Sequence, residues 1–150
     1  MIPSYAPGAG ALVPPRAHFA DDSAHLSLDG IWSFSYHRTD PAPFTDVERP
    51  WDEPEATGET AEIDVPSHWV LRGEGRFGHP AYTNVDFPFP VDPPFPPEAN
   101  PVGDYRRSFS LPAGWDTGLI ALRFDGVESQ ASVWVNGTWI GMARGSRLAH

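Results

Sequence analysis

The stretch from Pro80 to Tyr105, PAYTNVDFPFPVDPPFPPEANPVGDY, carries eight of the chain's 18 prolines. Each proline lacks an N–H, and its ring clashes with the preceding helical turn, so the stretch cannot be helix. The interior of a sheet is closed to it as well, because a proline cannot donate to the ladder. With φ pinned and the residue before each proline biased toward β or polyproline II geometry, the segment must be a fixed, largely extended loop. Tyr82, Phe87, Phe89, Phe95 and Tyr105 are threaded through it. A solvated linker has no use for such side chains, and long ordered loops on a β scaffold tend to be functional. The expectation is a loop packed against something, at a candidate ligand site.

On both sides of this loop the apolar pattern has period 2. Trp32, Phe34 and Tyr36 alternate with Ser33 and Ser35 in Leu28 to His37, after a turn signal at Asp29-Gly30. Ile63 and Val65 alternate with Glu62 and Asp64. Further along, Tyr105 to Leu111, with Tyr105, Arg107, Phe109 and Leu111 on one face, and Leu119 to Asp125, with Ile120, Leu122 and Phe124, read the same way. Ala131 to Asn136 and Thr138 to Met142 flank Asn136-Gly137, a pair that suits the two positive φ values of a type I′ hairpin turn. No segment has a helical period. The reading is all-β, with six strands at turn-punctuated spacing, as in a sandwich. Asp40 to Glu62, with eight carboxylates, reads as a solvated surface excursion. Residues 1–25, rich in Pro, Gly and Ala, read as a flexible arm, and 26–150 as the folded part.

At 150 residues the chain is one domain's worth, and 40% hydrophobic content suffices for a core. A net charge of −10 argues against nucleic acid, whose phosphates need a basic surface, and against an anionic membrane. The chain has no cysteine, so disulfides and thiolate metal sites are excluded. No apolar run approaches a membrane span, and Met1 to Phe19 lacks the basic start of a secretory signal, which makes the cytoplasm the expected location.

The chain carries no nucleotide loop, zinc spacing or nucleophile elbow. Its histidines, at 18, 25, 37, 68, 79 and 150, are scattered and read as structural rather than metal-binding. Tyr82-Thr83-Asn84-Val85, with Trp69 upstream, is the group that could hold a ligand. Sugars are held by planar side chains on their C–H faces and by amides or carboxylates that fork onto adjacent hydroxyls. Asn84 offers both donor and acceptor. It could equally cap a turn, since asparagine bonds its own backbone readily. Trp69, Trp134 and Trp139 lie in or beside strand patterns and read as core.

Several of these segments, in order, resemble the N-terminal, jelly-roll sugar-binding domain of family 2 glycoside hydrolases, and in particular of bacterial β-galactosidases. They are LDGIWSF from Leu28, VPSHW from Val65, YTNV from Tyr82, and PPF from Pro93 leading to NPVGDY from Asn100. FDGVES from Phe124, VWVNG from Val133 and GSRL from Gly145 follow. The Pro-Pro-Phe to Asn-Pro loop is similar to the β-galactosidase branch rather than to the β-glucuronidase or β-mannosidase branches.

The resemblance implies a galactose-binding-domain-like β-sandwich. It also implies that Asn84 reaches the active-site pocket and helps hold the galactosyl group, with Val85 as its neighbour. It implies further that His150 falls inside the family's domain, leaving the sandwich incomplete at its C-terminal end. The (β/α)8 barrel, with the acid/base and nucleophile glutamates and the Mg²⁺ ligands, would then lie elsewhere. Retaining hydrolysis needs both glutamates, so no catalytic residue is assigned in this segment. For the complete enzyme the resemblance implies Mg²⁺, with Na⁺ as a further candidate, a β-galactoside substrate, contact with the remaining domains, and a homo-oligomer. A stand-alone, non-catalytic carbohydrate-binding module is the alternative.

Overall fold

The computed structural model describes residues 9–10, 23–38, 59–82, 84, 91–92, 97 and 100–150. Two three-stranded antiparallel sheets carry the described residues, in the orders β3-β2-β4 and β1-β6-β5. Among the described residues there is no α-helix. Trp69–Leu71, Gly73–Gly75 and Trp115–Thr117 are single 3-10 turns. The chain is all-β, as its periodicity predicts.

The first sheet is built on β2 (Gly30–His37), with β3 (Glu59–Val65) on one side and β4 (Val102–Arg106) on the other. Alternation along β2 turns Trp32, Phe34 and Tyr36 to one face and Ile31, Ser33 and Ser35 to the other. On the first face Phe34, Tyr36, Ile63 and Phe77 form a buried cluster, with Trp32, Ala61, Val65 and Trp69 packed against it. Phe34, 1% exposed, lies at the centre. Its ring meets Phe77 edge-on at 5.1 Å between centroids and 81° between planes, and lies 4.9 Å from Tyr105 and 5.8 Å from Trp69. Burying a phenylalanine contributes about 1.5–3 kcal/mol, and each well-placed aromatic pair adds about 0.5–1.5 kcal/mol.

Gly103 makes this packing possible. It faces Tyr36 across the β2–β4 ladder. A Cβ there would lie 2.4 Å from the Trp69 ring and 2.7 Å from the Phe34 ring. The indole occupies the space that any other residue's side chain would need. Trp69 is thus a core residue, as its place beside a strand pattern predicts.

The second sheet is a hairpin, β5 (Gln130–Val135) and β6 (Thr138–Arg144), with the two-residue strand β1 (Ala9–Gly10) on the other edge of β6. Asn136 (φ 49°) and Gly137 (φ 78°) turn the chain between Val135 and Thr138, as the sequence predicts. Pairing runs from Val135–Thr138 and Trp134–Trp139, then skips one residue on β6 to resume at Val133–Gly141. The extra residue, Ile140, makes a β-bulge there. Met142 and Ala143 are buried. Phe124 and His150 exchange two backbone hydrogen bonds of 2.9 Å.

The strand expectations need two corrections. The strand placed at Tyr105 to Leu111 begins earlier, at Val102, and ends at Arg106. Arg107 lies just past the end of the ladder, and its Nη1 donates to the carbonyls of Leu28 and Asp29, both at 2.8 Å. Leu119 to Asp125 is not assigned to a strand. Leu119 is fully exposed, and Ile120, Phe109 and Leu111 are exposed as well. Alternation prepares a half-buried strand, but a strand also needs a neighbour's N–H and C=O groups. Among the described residues these segments have no ladder partner beyond the Phe124–His150 bridge.

Candidate functional site

The approach to the loop is anchored twice. After β3, the Ser67 hydroxyl donates to the Asp64 carbonyl. The chain then folds into two successive 3-10 turns, closed by Leu71 N–H to His68 O at 3.0 Å and Arg72 N–H to Trp69 O at 2.8 Å, then by Arg76 N–H to Gly73 O at 3.0 Å. Trp69 enters the core from the first turn, and Phe77 enters it just after the second. Asn84 lies seven residues beyond Phe77, so the loop leaves the core from a fixed point and has at most about 25 Å of extended chain with which to reach outward.

Tyr82 and Asn84 stand on this exit. Their side chains, two residues apart in sequence, meet there. Asn84 Nδ2 donates to the Tyr82 hydroxyl at 2.8 Å. Both are exposed, Tyr82 at 78%. The hydrogen bond described for the Asn84 side chain goes to a phenol, and Asn84 itself lies in a turn. Val85, along with Phe87, Phe89 and Phe95, lies outside the described residues. Trp69, drawn into the aromatic cluster, is not brought to Asn84 as a platform. The sequence placed Tyr82 in this group without a role. The signal that gives it one is the i, i+2 spacing.

The other face of the first sheet carries a second polar region that the sequence reading missed. Ile31, Ser33, Glu62, Arg106, Arg107 and Ser108 line an open depression of about 390 Å³. Ser33 is the register partner of both Glu62 and Arg106, so the β2 alternation alone groups these three. Arg107 belongs to the scaffold, since its guanidinium binds the Leu28 and Asp29 carbonyls and lies 5.9 Å over the Trp32 ring. The Trp32 indole donates to the same Leu28 carbonyl at 2.8 Å.

Farther along that face His37, buried at 5% exposure, places Nε2 3.2 Å from Asp104 and ties the end of β2 to β4. On the aromatic face, burial pushes the Tyr105 phenol above its ordinary pKa of 10.0. Among the described residues no group of three or more His, Asp or Glu side chains is gathered to hold a metal ion. No described helix is long and apolar enough to cross a membrane.

Residues 26–150 match the family described as glycosyl hydrolases family 2, sugar binding domain. The chain belongs to that family. The resemblance read from its ordered segments is therefore correct, and the all-β strands are those of a family 2 sugar-binding domain. Similar proteins include the β-galactosidase of an Arthrobacter species (strain B7), 47% identical over 99% of this chain and 16% of that protein. The β-galactosidase of Kluyveromyces lactis is 38% identical over 90% of the chain and 13% of its own length. That of Lactococcus lactis is 40% identical over 81% and 12%. The chain spans about a sixth or less of the length of these relatives.

Proposed function

We propose that this family 2 domain is the N-terminal portion of a β-galactosidase, which in its complete form hydrolyses terminal β-D-galactosides with retention of configuration. The observation that carries the reading is the 47% identity to a β-galactosidase along 99% of the chain. Within it, Asn84 contributes sugar binding. Its exposed amide, held from one side by Tyr82, keeps its carbonyl and second N–H for hydroxyls of the galactosyl group. Val85 is its neighbour. The two glutamates of the retaining mechanism lie outside this segment, so the 150-residue chain by itself is inactive. In this reading Mg²⁺, with Na⁺ as a further candidate, serves the complete enzyme, and no step is assigned to either here. The complete enzyme is cytoplasmic and homo-oligomeric.

The test is made on the full-length polypeptide with a chromogenic β-galactoside. Turnover is expected, together with a loss of about 5- to 100-fold in kcat/KM for Asn84→Ala at an unchanged melting temperature, since a side-chain hydrogen bond that leaves its partner unpaired costs about 1–3 kcal/mol. No turnover of β-galactosides sinks the activity. Unchanged kcat/KM with a lowered melting temperature returns Asn84 to a turn cap.

A further inference from the structure

We propose that Tyr82 is the positioning residue for Asn84. Its hydroxyl fixes the orientation in which the amide is presented to the sugar, and the assignment rests on the reading of Asn84 given above. A primary amide on a two-bond stem turns freely in water, and its two ends have opposite hydrogen-bonding character: one donates twice, the other accepts twice. A sugar hydroxyl that must donate to Oδ1 gains nothing from the rotated amide, so an unheld Asn84 would be only part-time competent to bind. In the orientation the structure describes, Asn84 Nδ2 donates to the Tyr82 hydroxyl at 2.8 Å and Oδ1 points away from the phenol.

The bond has little other purpose. Both side chains are exposed, and a hydrogen bond between neighbours in a solvated loop competes with water at each end, so its contribution to folding is small. Its value lies in ordering the amide before the ligand arrives, which removes part of the entropy cost of binding. The phenol accepts in this bond and keeps its own O–H, so a donor remains beside the amide's acceptor. The two side chains stand two residues apart in sequence and meet in that bond, on a chain whose upstream anchors, Trp69 and Phe77, belong to the aromatic core.

The experiment uses the full-length polypeptide in four forms: unaltered, Tyr82→Phe, Asn84→Ala and the double variant. kcat, KM and melting temperature are measured for each with a chromogenic β-galactoside. Tyr82→Phe keeps the ring and removes only the hydroxyl. The expected result is a loss of about 3- to 10-fold in kcat/KM, in the same parameter that Asn84→Ala moves and at an unchanged melting temperature. In the Asn84→Ala background the same change should have less than about a twofold effect, because the group it positions is gone.

If Tyr82→Phe is harmless while Asn84→Ala is damaging, the positioning role is overturned and the sugar contact survives. Equal losses in both backgrounds also overturn it, since Tyr82 would then act on its own account. If Asn84→Ala is itself harmless, the sugar contact falls and the positioning role falls with it.

Discussion

The two sheets reach order by different routes. In β3-β2-β4 the stabilising contacts join residues far apart in sequence: Phe34 and Tyr36 from β2, Ile63 from β3, Trp69 and Phe77 from the 3-10 turns, and Tyr105 from β4. In β1-β6-β5 the main pairing is a hairpin closed by two residues, and among the described residues its buried hydrophobic side chains are Met142 and Ala143. One sheet depends on rings that assemble late along the chain, the other on backbone conformations set within a few residues. Burial energies should therefore dominate substitutions in the first sheet, and φ preferences those in the second.

The strongest way to break this contrast is at Phe34. Phe34→Ala empties the centre of the aromatic cluster, leaving Phe77, Tyr105 and Trp69 facing a cavity, and should destabilise by about 3–5 kcal/mol. Val135→Ala in the hairpin, where the side chain is already exposed, should cost less than about 1 kcal/mol. Urea unfolding followed by tryptophan fluorescence measures both. Comparable losses at the two positions would mean that the sheets do not differ as described.

Gly103→Ala is next in size. The new methyl would sit 2.4 Å from Trp69, and the ring cannot bend out of the way as a flexible chain could. Overpacking of this kind costs about 1–3 kcal/mol. Adding Trp69→Leu should recover part of that loss, so the two substitutions should be non-additive in thermal unfolding. Strict additivity would place the indole elsewhere.

These two positions also mark what the sequence could and could not disclose. The alternation of Trp32, Phe34 and Tyr36 announces a strand and its inward face, because period 2 is a property of the chain itself. Asn136-Gly137 announces its turn for the same reason. Gly103 announces nothing, since its importance is the volume of an indole 34 residues away. Phe77 follows RGEGR, which has no periodicity, yet it is among the most deeply buried side chains. Leu119 to Asp125 shows the converse failure: the pattern of a strand is there without a described ladder partner. The candidate site was legible as a group of residue types in a proline-rich loop, through its resemblance to a family. The pairing of Tyr82 with Asn84 had to come from coordinates, because sequence spacing does not by itself close a hydrogen bond.

In the hairpin the comparison sharpens at Gly137. With φ at 78°, an alanine there should cost about 1–2 kcal/mol, whereas Asn136→Gly, at φ 49°, should change stability by only a few tenths of a kcal/mol. Thermal unfolding of the two variants checks this. A harmless Gly137→Ala would show that the turn is not of the type I′ geometry described and that the hairpin is held by its side chains after all.

The smallest expected effect probes the margin of the aromatic sheet. Tyr105 stacks on Trp69 at 6.5 Å and lies close to Phe34, yet it is 37% exposed, so its phenol is only partly withdrawn from water. Burial disfavours the phenolate and raises the pKa above 10.0. The folded chain thus holds the phenolic proton more tightly than the unfolded chain does. No stability depends on this below pH about 10, where both forms are protonated. Above it the unfolded chain ionises first, and stability falls as pH rises toward the folded value. The chain has neither lysine nor cysteine, which leaves the phenol signal uncluttered by either. The ultraviolet difference titration between the chain and its Tyr105→Phe variant should isolate one phenol that ionises above the ordinary range. The variant should also lose less stability than the parent on the alkaline side. A difference spectrum centred at the ordinary value, with parallel alkaline stability curves, would mean that water reaches this edge of the cluster freely and that the dry core ends at Phe34 and Phe77.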